Sequence, residues 1–279
     1  MKGIFWNSRG LSDLAKTKFL ADTVREQSLD FIALMETGKK DFSQAMLNGL
    51  CGGRDFVWHW TEPHGRSGGI LVGVNLDHIE VGGIEEGDFF VKFRLRDKKD
   101  GFKWVLIAVY GAAQPSFKEK FLTELVQACN KEKLPIMVGG DFNIIRNPSE
   151  KNNDKFNNRW PFLFNAIIDS LDLRELEMSG RKYTWENPTF EKSDRVLIST
   201  DWEQQFPKAT VVALSREISD HTPLLLSTED DGANMKQPLF KFELGWLLKE
   251  SFFDMVSEVW NKEQRGNNAL QRWQNKISG

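Results

Sequence analysis

Pro135-Ile136-Met137-Val138-Gly139-Gly140-Asp141-Phe142-Asn143 is the stretch that decides how this 279-residue chain reads. A short apolar run ends in two glycines, and an acid and an amide follow, one residue apart. Ile136 to Val138 reads as a buried strand. Gly139 and Gly140 remove side chains where the backbone turns or a neighbour approaches closely. In an extended chain Asp141 and Asn143 project to one side, while Phe142 points away into the core. An acid and a neutral amide at a strand end suit a phosphate-and-metal site. The acid binds a cation or takes a proton, and the amide donates to a phosphate oxygen without adding charge. The competing reading is an Asp/Asn turn after a core strand.

On the N-terminal side, residues 2–6 read as a strand ending at Asn7. Leu14 to Gln27 has apolar residues at 15, 19, 20 and 24, the spacing of an amphipathic helix. Asp30 to Met35 is a second buried strand, which delivers Glu36 at its end. Phe56–Trp60 and Ile70–Val74 follow, with Gly65-Arg66-Ser67-Gly68-Gly69 between them. Phe89–Leu95 and Trp104–Val109 form a hairpin across Lys98-Lys99-Asp100-Gly101 and end at Tyr110-Gly111. Ser116 to Asn130 is helical, with one apolar face.

On the C-terminal side, 147–159 is polar and is expected to be an exposed loop, and Phe162 to Leu171 is helical. Tyr183–Trp185, Asp194–Ile198, Ala209–Leu214 and Pro223–Leu226 read as strands, with Ser219-Asp220-His221 before the last. Glu229-Asp230-Asp231-Gly232 reads as a linker. It divides residues 1–228 from a segment, 229–279, with helical spacing from Leu244 to Trp260 and more weakly from Leu270 to Ile277.

A hydrophobic fraction of 40% supports a sizeable core. The net charge of −3 carries no global signature of a nucleic-acid binder, so any DNA contact must come from local basic patches or from a metal that offsets the acids. Cys51 and Cys129 form no CxxC pair and read as buried thiols in a reducing compartment. The apolar run after Met1-Lys2 is too short for a signal peptide, and no run reaches the roughly 18 residues that span a membrane.

Polar residues of one kind thus gather at strand ends and adjoining loops: Asn7, Glu36, Tyr110, Asp141, Asn143, Asp194, Asp220 and His221. Rigid sheets offer such ends as accessible anchoring points. Acids with one histidine can hold a hard cation and position a proton-transfer group. Zinc is disfavoured, because the histidines at 59, 64, 78 and 221 are not at ligand spacing. Taken singly the pieces are ordinary. Asp194 beside Arg195 reads equally as a surface ion pair of little worth.

In order, Trp6-Asn7-Ser8-Arg9-Gly10-Leu11, Leu34-Met35-Glu36-Thr37, Gly65–Gly69, Val109-Tyr110-Gly111, Gly140-Asp141-Phe142-Asn143, Tyr183-Thr184-Trp185, Asp194-Arg195-Val196-Leu197 and Ser219-Asp220-His221 resemble the endonuclease/exonuclease/phosphatase superfamily. Within it they look most like the apurinic-type endonuclease domain of plant LINE-type (non-LTR) retrotransposon polyproteins. The resemblance covers residues 1 to about 228. The tail, with Phe240–Glu243 and Trp246, looks like the segment that precedes a reverse transcriptase, and the chain is expected to be truncated before that enzyme.

The resemblance implies an α/β fold, a four-layer α/β sandwich with two central mixed β-sheets flanked by helices, plus a C-terminal helical tail. It implies a Mg²⁺-dependent DNA endonuclease, with Mn²⁺ able to substitute, that nicks one strand of double-stranded DNA and leaves a 3′-hydroxyl. An adjoining reverse transcriptase in a full-length element would use that hydroxyl as primer. A monomer is expected, intracellular, and nuclear if active. By the same resemblance Glu36 is the main metal ligand, with Asn7 beside it and Asp220 assisting. Asp141 aligns or deprotonates the attacking water, and Asn143 and Tyr110 hold the phosphate. His221, oriented by Asp194, stabilises developing charge, and Ser219 buttresses the site. Whether Asp141 or His221 is the base stays open. Arg9, Arg66, Lys151, Lys155 and Arg159 are candidates to line the DNA.

Two departures stand out. Ser8 and Arg9 replace a second acid found in several DNA-repair relatives, which speaks against a second metal. The hairpin segment 186–193 is short, which bears on target choice. The alternatives are a phosphatase or phosphodiesterase acting on a non-DNA phosphoester, and an inactive truncated element copy.

Overall fold

The structure is a computed structural model that describes residues 1–63, 68–152, 158–186, 189–216, 218–229 and 252–261. Two compact units divide the chain, Met1–Asp230 and Asp231–Gly279. In chain order the first unit begins with β1 (Lys2–Asn7), α1 (Leu14–Gln27), β2 (Phe31–Met35), α2 (Gln44–Leu50), β3 (Phe56–Thr61), β4 (Ile70–Asn75), β5 (Ile79–Glu86), β6 (Phe90–Asp97) and β7 (Lys103–Tyr110). It continues with α3 (Pro115–Asn130), β8 (Ile136–Asp141), a 3₁₀ turn (Pro148–Glu150), α4 (Arg159–Ser170), β9 (Leu173–Glu175) and β10 (Met178–Ser179). It closes with β11 (Trp185–Glu186), β12 (Phe190–Glu191), β13 (Asp194–Ser199), α5 (Thr200–Gln205), β14 (Thr210–Ala213) and β15 (Leu224–Ser227).

A seven-stranded sheet has the order β10-β14-β15-β1-β2-β4-β3, and a six-stranded sheet the order β5-β6-β7-β8-β13-β9. Both are mixed: β1–β2 and β7–β8 are parallel, whereas β1–β15 and β8–β13 are antiparallel. Three apolar layers account for the stacking. Phe5, Phe31, Val72, Phe93, Trp104, Met137 and Val196 fill the space between the sheets. Leu20 and Val24 of α1, with Leu47 and Leu50 of α2, cover the outer face of the larger sheet through Ile4, Ile32 and Leu34. Phe121 and Leu125 of α3, with Phe164 and Ile168 of α4, cover the smaller sheet through Val105, Ile107 and Val138. The expected four-layer α/β sandwich is therefore present. β2 reads as an unbroken apolar run because both its faces are covered.

Several elements escaped the sequence reading. β5 alternates buried and exposed positions but carries two glycines and three acids, and therefore reads as a loop. α2 and α5 have seven and six residues, too few for helical periodicity to show. β8 runs to Asp141 rather than stopping at Val138. The two glycines make that possible. A Cβ on Gly139 would lie 2.4 Å from the Phe5 ring of the opposite sheet, and Gly140 has φ +139° with the Val109 carbonyl against it.

In the second unit α6 (Phe252–Asn261) is helical, and the rest of the helical spacing read in the tail lies outside the described residues. Among the described residues no helix is long and apolar enough to cross a membrane.

Candidate active site

The two sheets repeat one local plan. β1 has a parallel neighbour, β2, ending beside it and an antiparallel neighbour, β15, starting there. β8 has the same arrangement with β7 and β13, so Tyr110, Asp141 and Asp194 lie side by side in register. Asn7, Glu36 and the Asp220-His221 pair sit on the larger sheet's side of the seam. The hydrogen bonds between the two sets cross from sheet to sheet. Asn7 Nδ2 donates to Asp141 Oδ2 over 2.9 Å, Tyr110 donates its hydroxyl to Glu36 Oε2 over 3.2 Å, and His221 Nδ1 lies 2.9 Å from Asp194 Oδ2.

Asp141 and Asn143 meet as expected, but not by extended alternation. Asn143 has φ +51°, and its N–H donates to Asp141 Oδ1 over 3.0 Å. Its Nδ2 donates to the Gly111 carbonyl and to Asp141 Oδ2, while Phe142 is fully buried. The Asp/Asn turn and the polar site are thus one structure. Arg9 and Glu36 also have left-handed backbone, at φ +45° and +53°. Such conformations cost energy in non-glycine residues and persist where neighbours fix them. Gly10 N–H donates to the Glu36 carbonyl, and Gly68 packs so closely that a Cβ there would meet the Glu36 Cα at 2.6 Å. The buried Lys16 ammonium donates to the carbonyls of Ser8, Arg9 and Gly10. Ser219 Oγ donates to the Asn7 carbonyl and accepts the His221 N–H.

Two acid–cation–acid bridges result. In the first, His221 stands between Asp194 and Asp141, with Nε2 3.8 Å from Asp141 Oδ2. Burial pushes the imidazole pKa down, but the two carboxylates overcome it and raise the value to about 9. Burial, then Asp194, pushes the Asp141 carboxyl above its usual range despite His221. Burial, then Glu36 and Asp141, keeps Tyr110 protonated far beyond neutral pH. In the second bridge Arg9 pairs through Nη1 with Asp220 Oδ2, and its Nε lies 3.7 Å from Glu36 Oε1. Trp185 Nε1 also donates to Asp220 Oδ2, over 3.1 Å, while Asp220 Oδ1 is buried without a hydrogen-bond partner.

The first bridge makes a pH prediction. A folded-state pKa of about 9 against an unfolded value near 6.5 means that the His221 contribution is fully present below about pH 6.5 and is lost as pH rises through 9. In EDTA, the stability advantage of wild type over His221→Asn is expected to be on the order of 3 kcal/mol at pH 6 and to vanish by about pH 10. Urea unfolding at both pH values reads it, and an advantage that grows with pH would refute the assignment.

A metal fits the second bridge better than the first. Asp141, Asp194 and His221 each bring one ligand atom within 4.8 Å of the others, but a protonated imidazole already balances those acids. Glu36 and Asp220 offer the hard oxygen donors that Mg²⁺ prefers, and the unpartnered Asp220 Oδ1 leaves an acceptor to be satisfied.

The basic candidates among the described residues prove to be paired with acids. Arg9 turns onto Glu36 and Asp220, and Lys151 Nζ lies 2.5 Å from Glu191 Oε1. Arg159 lies 3.5 Å from Glu119 Oε2 and over the Trp160 ring. Arg66 and Lys155 lie outside the described residues. Asp194-Arg195 is not a surface pair: both residues are buried, and Arg195 pairs instead with Glu150 and Glu175. Glu150 thereby ties part of the expected solvated loop to the interior. Lys16, Thr184, Trp185 and Arg195 were given no role from sequence. Thr184 Oγ1 accepts the N–H groups of Ser193 and Asp194 and so sets the start of β13. A cleft of about 1160 Å³ opens beside Tyr110, with Trp60, Phe89 and Phe117 in its walls.

The family model for the Endonuclease/Exonuclease/phosphatase family matches residues 4–221. No curated protein matches the sequence. Among solved structures the chain is similar to the AP endonuclease LMAP from Leishmania major, at 14% identity and TM-score 0.65 over 81% of this chain and 86% of that one. It is similar to the 3′ phosphatase NExo from Neisseria bound to product DNA hairpin, at 17% identity and TM-score 0.64 over 82% and 99%. The endonuclease domain of TRAS1, a telomere-specific non-LTR retrotransposon, matches at 15% identity and TM-score 0.61 over 81% and 96%. These likenesses establish the shared fold.

Proposed function

The chain belongs to the Endonuclease/Exonuclease/phosphatase family, whose members hydrolyse phosphoesters, and from that premise we propose that it is a Mg²⁺-dependent endonuclease that nicks one strand of DNA and leaves a 3′-hydroxyl. The observation that carries the reading is the Asn7–Asp141–His221–Asp194 chain set beside Tyr110, Glu36 and Asp220 at one seam. DNA-acting proteins among its structural neighbours support the choice of substrate.

Each group has a task its surroundings suit. Asp141 is held by Asn7 and Asn143 and has a raised pKa, so it aligns the attacking water and accepts its proton. His221 is cationic at neutral pH, which makes it a donor to the phosphate rather than the base. Asp194 fixes the ring by holding Nδ1 and leaves Nε2 facing Asp141. Tyr110 and Asn143 become neutral donors to phosphate oxygens once the substrate displaces a bond each now makes, to Glu36 for Tyr110 and to Gly111 or Asp141 for Asn143. Glu36 and Asp220, with the Asn7 amide, would hold Mg²⁺, which when bound polarises the phosphate and offsets developing charge. Trp60 and Phe117 offer aromatic faces to a nucleotide adjoining the scissile phosphate.

Supercoiled plasmid is expected to be converted to the nicked circle with Mg²⁺ and to stay intact with EDTA. End-labelling of the nick should report a 3′-hydroxyl. A folded protein that removes 3′-phosphate from an oligonucleotide but never nicks plasmid would replace this reading with a phosphatase.

A further inference from the structure

The cation between Glu36 and Asp220 is part of the chain itself. Arg9 Nη1 pairs with Asp220 and Nε faces Glu36, while the Arg9 N–H donates to Asn7 Oδ1 over 3.1 Å. All three residues expected to hold the metal therefore touch Arg9. Its backbone is fixed in the left-handed region by Lys16, which holds the carbonyls on either side, and by the bond from Gly10 to Glu36. Its side chain is 45% exposed. The anchor is rigid and the guanidinium is free to leave.

A guanidinium stays charged at any pH the fold tolerates, so it cannot give up the two carboxylates by losing a proton. It gives them up only by moving. A divalent ion seated on Asp220 Oδ1 and Glu36 would bring its charge against the guanidinium on Asp220 Oδ2, so the two cations repel each other and compete for the same pair of carboxylates. We propose that Arg9 is an internal competitor for the cation site: it holds Glu36 and Asp220 together when metal is absent, and metal entry turns its side chain outward, where it pairs with a phosphate of the substrate. The inference rests on reading Glu36 and Asp220 as the metal ligands. It gives the chain a coupling that a fixed ligand set lacks. Metal binding releases a bidentate phosphate donor, and a bound phosphate holds that donor away from the acids. Metal and polyanion are then expected to bind cooperatively through one side chain.

Calorimetric titration of the full chain with Mg²⁺ alone, without DNA, tests this. Arg9→Gln is expected to bind Mg²⁺ about tenfold more tightly than wild type, since no competitor has to be displaced. Arg9→Lys, which keeps the charge but not the planar fork, is expected to fall between them and guards against a folding artefact in the first variant. Without metal, Arg9→Gln should melt at a lower temperature than wild type, and Mg²⁺ should raise its melting temperature more. A plain phosphodiester duplex, titrated in the presence of Ca²⁺ to prevent turnover, should bind Arg9→Gln more weakly. Equal or weaker Mg²⁺ binding by Arg9→Gln, with binding still abolished in Glu36→Gln, would overturn the competition and leave the metal site standing. Unchanged Mg²⁺ binding in Glu36→Gln would overturn the ligand assignment and the inference with it.

Discussion

Asp141→Asn is expected to lower plasmid nicking by about 10³-fold or more while the protein stays folded. The substitution keeps the size of the side chain and one acceptor oxygen, which can take both bonds that Oδ2 accepts, at the loss of the acceptor for the Asn143 N–H. It removes the one carboxylate that Asn7 and Asn143 jointly hold and that His221 Nε2 faces. No neighbour can take over. Asp194 is committed to His221 Nδ1, and the Tyr110 phenol keeps its proton. The carboxylate is also desolvated, so replacing it by an amide lightens the electrostatic burden on the fold, and the melting temperature is expected to hold or rise slightly. Loss of activity combined with unchanged stability is the signature of a reacting group. Retention of more than a tenth of the wild-type rate would remove Asp141 from the chemistry.

Arg195→Met should destabilise the protein by about 3–5 kcal/mol, the largest single-site loss expected outside the apolar core. The guanidinium is fully buried and donates to Glu150, Glu175 and the carbonyls of Ile144 and Lys192. Glu175 shows the strength of the arrangement: burial alone would raise its pKa, yet Arg195 and Lys192 bring it down to about 2. A depressed carboxyl pKa contributes stability above its unfolded value, near 4.5, and that contribution fades as pH falls towards 2. Removing Arg195 leaves Glu175, among the described residues, with Arg146 and Lys192 as its remaining cations. Urea unfolding at neutral pH measures the loss, and Glu175→Gln in the Arg195→Met background should restore part of it. A loss under about 1 kcal/mol would mean that water replaces the guanidinium freely.

Such contrasts mark what could be read from sequence. The strands that carry the site were legible because both faces of each are covered, which writes unbroken apolar runs such as Phe31–Met35 and Trp104–Val109. The polar residues at their ends stood out for the same reason, as abrupt changes after such runs. β5, α2 and α5 were not legible, because each is short or carries glycines and acids that local pattern assigns to loops. The roles of Lys16 and Arg195 were hidden for another reason. A buried cation is defined by its partners, and those partners lie far off in the chain: Glu150 is 45 residues from Arg195. Arg9 shows the opposite failure. Its position suggested a hand extended to DNA, whereas in the structure it closes on two acids that only the fold brings within its reach.

Asn7–Asp141, Tyr110–Glu36 and His221–Asp194 each join a residue of one sheet, or of the chain directly flanking its strands, to a residue of the other. Between the sheets the contacts below them are side-chain packing, with the Phe5 ring so close to Gly139 that a Cβ there would lie 2.4 Å from it. The edge that carries the candidate site is therefore a clasp, and its alignment is a gauge of how far one sheet has slid along the other. A shear of one ångström would not disturb these pairs one at a time; it would spoil all three together. Substitutions deep in the interior that never approach a phosphate can then silence the protein by changing the spacing of its two halves, and directed changes at Phe5 would tune its rate as a screw tunes a vernier.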